Sequence, residues 1–322
     1  MDRKVELQTV GGVGGLAVVP GEPQQPGPGE LRIRHEAIGV NFIDIYHRTG
    51  LYPLPLPAVP GVEGAGIVEA VGAQVSHVEA GDRIVYAGLP GAYATTRLLP
   101  GWRAIKLPDN VSPIAAGGAF LRGMTVHMLL TRIYPVAKGT HLLVHAGAGG
   151  LGAALTRWAA RIGAHVITTA GSPEKAEMSR AHGAEHVVIG RDADIAADIG
   201  RLTGGRLVDY AIDGIGGETL PRTLGCVRPF GMVASIGQVA GPIAPVPVEA
   251  LGPARSLSLS RPSIMAYMAD RATYRLAAQA VIAAMADGIL PLTHRRYRLS
   301  LAAKAQSDLE AGQTTGNIVL IP

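Results

Sequence analysis

Cysteine is almost missing from this chain: among 322 residues the only one is Cys226. That excludes internal disulfides and any cysteine-rich zinc lobe, and it fits a reducing compartment. Aromatic residues are scarce at 4%, and Lys and Arg are scattered rather than grouped, although the net charge is +4. With no basic run and no basic–aromatic interleaving, nothing beyond mild positive charge points to nucleic acid. The N-terminus opens Met-Asp-Arg-Lys-Val-Glu and lacks an apolar signal core. No uncharged apolar stretch is long enough to span a bilayer, and the longest, around 139–156, is broken by glycines. A cytoplasmic protein is the expectation.

What the chain does have is glycine, 43 residues of it, with 23 prolines and 48% hydrophobic residues. That combination implies many tight turns around a well-buried core, and the length implies two domains. From about 5 to 110 the pattern is short strands with Pro/Gly punctuation, including 31–40, 64–72 and 82–86. From 124 to 265 it changes to alternating strands and helices. Strands are predicted at 141–145, 164–169, 186–189, 207–213 and 231–236, with helices at 173–183 and 217–226. Such βα units predict a parallel sheet with helices on both faces. The last part, 266–322, holds a helix at 274–287, a strand at 295–299 and an apolar end at 317–322. It lacks the βα repeat, so it is expected to return to the first domain.

One segment carries the most chemical meaning: His-Leu-Leu-Val-His-Ala-Gly-Ala-Gly-Gly-Leu-Gly at 141–152. Gly147, Gly149 and Gly152 fit G-x-G-x-x-G between a strand and a helix. A tight turn needs glycine, the middle glycine admits a pyrophosphate, and the last lets helix and strand pack. The run Gly147, Ala148, Gly149, Gly150, Leu151 and Gly152 is therefore the candidate cradle of a dinucleotide, with helix N–H groups aimed at its phosphates. The end of the next strand narrows the cofactor. No carboxylate stands there to take a ribose 2′-OH; Thr168, Thr169 and Ala170 do, followed by Gly171, Ser172 and Lys175. A hydroxyl, a cation and a helix start suit a 2′-phosphate, which favours NADPH over NADH. Ser172 also reads as a plain helix cap and Lys175 as a solvated charge, and capping is compatible with phosphate binding.

Larger segments carry a family resemblance over essentially the whole length. They are Val-Asn-Phe-Ile-Asp-Ile-Tyr-His-Arg-Thr-Gly-Leu-Tyr-Pro at 40–53, Pro-Gly-Val-Glu-Gly-Ala-Gly-Ile-Val at 60–68, Phe-Leu-Arg-Gly-Met-Thr at 120–125, the glycine turn with Trp158, and Ser-Arg-Pro-Ser at 260–263. The chain resembles the zinc-independent quinone oxidoreductases of the zeta-crystallin type, in the medium-chain dehydrogenase/reductase superfamily. The resemblance implies an α/β fold: a GroES-like, mainly β catalytic domain, 1–123 with 266–322, and a doubly wound Rossmann domain, 124–265. Zinc-dependent relatives place a cysteine ligand near Asn41 and a histidine in Gly-His-Glu, where this chain has Gly61-Val-Glu63. Asn41 and Val62 remove two of the three protein ligands that catalytic zinc needs. The ten histidines offer no convergent pair in the sequence: His141 and His145 are spread along one strand, and Gly183 breaks the helix between His182 and His186.

The resemblance further implies that Asn41, Tyr46 and Tyr52 surround the nicotinamide and the acceptor. An amide and two phenols are suitable hydrogen-bond partners for an oxygen that gains charge. Loop-holding for Asn41 and packing for Tyr52 are the plainer alternatives. Arg48 reads as a solvated charge or a guide for an anionic cofactor. Thr125 matches a family threonine near the nicotinamide, or it caps a helix start. Ser235 and Gly237 lie past a strand end where a carboxamide would bind. Arg261 and Asn317 match positions near the cofactor. A family tyrosine beside the 2′-phosphate is replaced by Gly190, with Arg191 next to it. The expected activity is metal-free hydride transfer from NADPH to a quinone. The alternatives are reduction of α,β-unsaturated carbonyls, or an NADPH- or RNA-binding protein with little turnover. The alternating run at 255–261 reads as an edge strand that pairs with its copy in a homodimer.

Overall fold

Alternation along Glu30–Glu36 organises the first part of the chain: Leu31, Ile33 and His35 are buried between more exposed neighbours, and from Ala37 to Gly39 the strand is buried throughout. The computed structural model describes residues 2–22, 24–290 and 294–322. In chain order the first elements are β1 (Arg3–Leu7), β2 (Leu16–Pro20), β3 (Glu30–Gly39), α1 (Phe42–Thr49), β4 (Glu63–Val71), β5 (Arg83–Ala87), β6 (Thr96–Pro100) and β7 (Ile105–Lys106). Two helices follow, α2 (Pro113–Ala116) and α3 (Phe120–His127), and a π-helical turn over Met128–Ile133. Then come β8 (His141–Val144), α4 (Gly150–Ile162), β9 (His165–Ala170), α5 (Pro173–Ala181), β10 (His186–Ile189), α6 (Ile195–Leu202), β11 (Val208–Asp213), α7 (Thr219–Gly225), β12 (Val227–Ser235) and β13 (Ser258–Ser260). The chain closes with α8 (Ile264–Tyr267), α9 (Arg271–Ala286), β14 (His294–Arg298), α10 (Ala302–Glu310) and β15 (Asn317–Ile321).

The chain divides into two compact units, Met1–Met124 with Met265–Pro322, and Thr125–Ile264. In the first unit the strand order is β14-β15-β3-β4-β5-β7, with β6 also on β3. The late strand β15 runs antiparallel to β3, so residues near the end of the chain complete a sheet begun near its start. Leu31, Ile33, Ile38, Tyr86, Tyr93, Ile318 and Leu320 share this unit's core. In the second unit six parallel strands run β10-β9-β8-β11-β12-β13. Every residue of β11 is buried, as expected for a strand covered on both faces. All strands of such a sheet end at one edge, which is where open parallel sheets bind ligands.

Some elements differ from the sequence expectations. The segment after Asn41 is a helix, α1, ended by Gly50 in the left-handed region at φ 81°. β12 starts at Val227 rather than 231, because a register shift lets an irregular stretch join the ladder with β11. α6 fills a stretch that had no assignment; Asp194 caps it by accepting from the Ala197 N–H. The expected edge strand at 255–261 contracts to Ser258–Ser260, paired with β12.

Candidate active site

In the second unit, β8 is followed by His145-Ala146-Gly147, and Ala146 takes φ 54°, rare for a residue with a side chain. The Ala146 N–H donates to Thr169 Oγ1 at 3.1 Å and the Gly147 N–H to the Thr169 carbonyl at 3.1 Å. Glycine is required at two places here. A Cβ on Gly152 would lie 2.2 Å from the Ala146 carbonyl, and one on Gly147 would lie 2.6 Å from Thr168 Cβ. Gly149 is the N-cap of α4 and brings no capping side chain. The first N–H groups of α4, on Gly150, Leu151 and Gly152, are therefore left for an anion. Ala148 is buried beneath the turn.

The end of β9 gathers the second group. Ser172 caps α5 by accepting from the Lys175 N–H. A Cβ on Gly171 would sit 4.0 Å from Arg191 Nε, so Arg191 lies over the Gly171–Ser172 corner. Gly190 holds φ 110°, which a tyrosine there would adopt only under strain. One feature escaped the sequence reading. The Ser172 hydroxyl beside Glu174 holds that carboxyl below its ordinary range, so an acid stands in the first turn of α5. At the end of β12, Arg261 Nη1 donates to Ser235 Oγ at 2.9 Å and to the Gly237 carbonyl at 3.4 Å. Ser235, Gly237 and Arg261 are thus drawn together, and Gly237 lies against the Gly214 carbonyl, where a Cβ would be 2.5 Å away. Thr125 lies inside α3, not at a helix start, so the capping alternative is overturned.

In the first unit, Asn41 is the N-cap of α1 in a reciprocal box with Asp44. The Asn41 N–H donates to Asp44 Oδ2 at 2.9 Å, and Asn41 Nδ2 donates to Glu63 Oε1 at 2.7 Å. The other Glu63 oxygen accepts from the Leu121 N–H at 2.7 Å. Tyr93 donates its phenol to Asp44 Oδ2 at 3.1 Å. Burial pushes the Asp44 carboxyl up to about 7 and also raises Glu63, with Arg122 opposing both. Tyr46 and Tyr52 pack edge to face, ring centroids 5.3 Å apart, and the Tyr52 N–H donates to the Tyr46 carbonyl. Tyr52 keeps 39% of its surface exposed. The Val40 N–H donates to the Ile318 carbonyl at 3.0 Å, which sets Asn317 at the start of β15 next to the Asn41 segment.

Three expectations need correction or addition here. Arg48 is neither solvated nor aimed at a ligand. It is 2% exposed, with bonds to Gln306, Gly11 and Glu310 that tie α1 to α10. The histidines do converge in one place: His141 and His165, on adjacent strands, stack with ring centroids 4.7 Å apart, and His165 pairs with Glu185 at 2.7 Å. Asp44 and Glu63 were missed as members of the site. The Asn41-x-x-Asp44 spacing signals a capping box, but nothing local signals Glu63.

The donor set does not suit zinc. Val62 has no ligand atom, the Asn41 amide is committed to Glu63, and no group of three metal-ligating side chains forms among the described residues.

Residues 27–109 match the model of the alcohol dehydrogenase GroES-like domain, and residues 150–282 match that of the zinc-binding dehydrogenases. These two domains with a dinucleotide turn define a medium-chain dehydrogenase/reductase. A quinone oxidoreductase of Pseudomonas aeruginosa is 36% identical over 325 residues, covering 100% of each chain. A 2-haloacrylate reductase of Burkholderia is 39% identical, covering 92% of each. The structure of Escherichia coli quinone oxidoreductase complexed with NADPH superposes with a TM-score of 0.96 at 35% identity, over 99% of this chain and 100% of that one. The chain belongs to the quinone oxidoreductase family of the superfamily.

Proposed function

We propose that this protein is an NADPH:quinone oxidoreductase that works without a metal. The observation that carries the reading is the pair Asn41 and Val62 standing where zinc ligands would be, with the Asn41 amide bonded to Glu63. Without a Lewis acid, nothing in this donor set polarises an alcohol, whereas an electron-poor quinone accepts hydride readily once positioned.

The residues fit the cofactor. The α4 N–H groups over Gly147–Gly152 would receive the pyrophosphate, and Gly171, Ser172, Lys175 and Arg191 the 2′-phosphate. Ser235, Gly237, Arg261, Thr125 and Asn317 are proposed at the nicotinamide end. NADPH supplies the hydride when bound. The Tyr46 and Tyr52 rings offer an apolar wall for a flat acceptor, and a phenol donates to the acceptor oxygen as charge builds there. Asn41, fixed through Glu63 and Asp44, keeps the start of α1 and hence both tyrosines in place.

Reduction of an activated alkene is the second reading, favoured by the kinship with a 2-haloacrylate reductase. A cytoplasmic location and a homodimer paired along β13 belong to the same proposal; no described helix is long and apolar enough to cross a membrane. The test follows the near-UV absorbance of NADPH, with NADH in parallel, against a quinone and an enone in excess chelator. Rapid quinone-dependent loss of NADPH is expected. Turnover of the enone alone moves the assignment to alkene reduction, and no turnover with either overturns the enzymatic reading.

A further inference from the structure

His145 has no place in the chemistry above, yet it is only 6% exposed and lies immediately before the cofactor turn. Both ring nitrogens are engaged. Nε2 is 2.8 Å from Thr223 Oγ1, and Nδ1 is 3.2 Å from Thr169 Oγ1. Thr223 Oγ1 is 2.9 Å from Asp213 Oδ2. The other Asp213 oxygen accepts the N–H groups of Ile215 and Gly216. At the far end, Thr169 Oγ1 accepts the Ala146 N–H.

The hydrogens can be placed by elimination. The Thr223 hydroxyl faces two groups that only accept, Asp213 Oδ2 and the Thr219 carbonyl, each at 2.9 Å, so its single hydrogen goes to one of them and a lone pair is turned to His145. Nε2 must then carry the proton, and Nδ1 is bare. The Thr169 hydroxyl donates to Nδ1 and keeps a lone pair for the Ala146 N–H. Burial holds the His145 imidazole below its ordinary pKa, with Asp213 opposing and Arg222 reinforcing the shift, so the neutral ring the chain requires is also the favoured one.

We propose that His145, as the Nε2–H tautomer, is a positioning residue for the cofactor turn: it orients the Thr169 hydroxyl, which fixes Ala146 in its left-handed conformation and so aims the Gly147–Gly152 cradle. The relay ties the ends of β8, β9 and β11 and the helix α7 into one unit at the ligand edge of the sheet. Ala146 needs such a fixture. Its carbonyl accepts the Gly149 N–H and is the atom against which Gly152 packs, so a relaxed Ala146 displaces the phosphate-facing N–H groups.

The inference rests on the NADPH reading, and the experiment separates the two. NADPH dissociation constants are measured by fluorescence titration of the whole protein and of Thr169→Val, Thr169→Ser, His145→Phe and the Thr169→Val/His145→Phe pair. Thr169→Val keeps the shape and removes the hydroxyl, so it should weaken binding roughly tenfold, and Thr169→Ser should restore it. If one relay is at work, the double variant binds no more weakly than the weaker single one. Histidine nitrogen NMR of the unsubstituted protein should show His145 protonated at Nε2 and bare at Nδ1. An Nδ1–H tautomer, unchanged affinity in Thr169→Val, or additive losses in the double variant overturns the inference alone. If His145→Phe does not fold, the Thr169 pair and the tautomer decide it. No NADPH binding by the unsubstituted protein overturns both readings.

Discussion

Asp44 is a carboxyl group with both its donors on one oxygen. Asn41 N–H and the Tyr93 phenol both reach Oδ2, and the buried Oδ1 has no hydrogen-bond partner. Burial lifts its pKa to about 7 from 3.8. The folded protein therefore holds a proton that the unfolded chain releases, and linkage gives the sign: this contribution to stability is full below pH 3.8 and is lost as pH rises through about 7. Asp44→Asn cannot ionise, keeps an acceptor for both donors and puts an NH2 where Oδ1 stood. We expect it to match the parent below about pH 4 and to exceed it above about pH 8, by on the order of 4 kcal/mol. Thermal melts across that range check this; an equal or widening deficit at high pH rules it out. The Asn41–Asp44 box was open to reading because its members are near neighbours in sequence. Glu63 was not, because its partners Asn41 and Leu121 lie 22 and 58 residues away and meet only in the fold.

The glycine turn and α4 were legible as a strand–turn–helix, since the pattern of small residues has a steric cause that holds wherever the sequence occurs. Substituting Gly152→Ala forces a Cβ to 2.2 Å from a backbone carbonyl, which has no side chain to yield. NADPH affinity should fall at least tenfold, by the same isothermal or fluorescence titration in which Gly200→Ala, in open space on α6, serves as the neutral control. At β9 the Arg191 guanidinium over Gly171 argues for the 2′-phosphate. Arg191→Ala should narrow the preference for NADPH over NADH by roughly tenfold, read from the two dissociation constants. An unchanged ratio would transfer that role to Lys175. Elements such as α1 and α6 were hidden by brevity: eight residues each give little periodicity, and their caps act only where tertiary packing supplies the apolar partner.

For the molecule as a whole, the resemblance carried more than periodicity did, because it drew on separated segments that the fold brings into two units. Metal analysis of protein purified without chelator should find well under one zinc per chain, and added zinc should not raise quinone turnover. Stoichiometric zinc retained through dialysis would refute the donor-set argument. Light scattering at working concentration should give twice the chain mass if β13 pairs with its copy.

The strand β15 closes on β3 through Val319 and Gly39, with the whole second unit threaded between them. During synthesis β3 emerges early; β4 takes one edge and β6 covers Glu30–Arg34 of the other, but the Ile38–Gly39 end of that edge waits for β15. The second unit has all its strands long before that moment. A free connection of roughly 280 residues would cost ~5 kcal/mol of closure entropy, and a folded insert replaces most of that slack with a fixed spacer. The order of manufacture thus favours the nucleotide-binding half first, and a chain truncated before Asn317 keeps its cradle but loses the strand that closes the Ile38–Gly39 end of the other half's sheet.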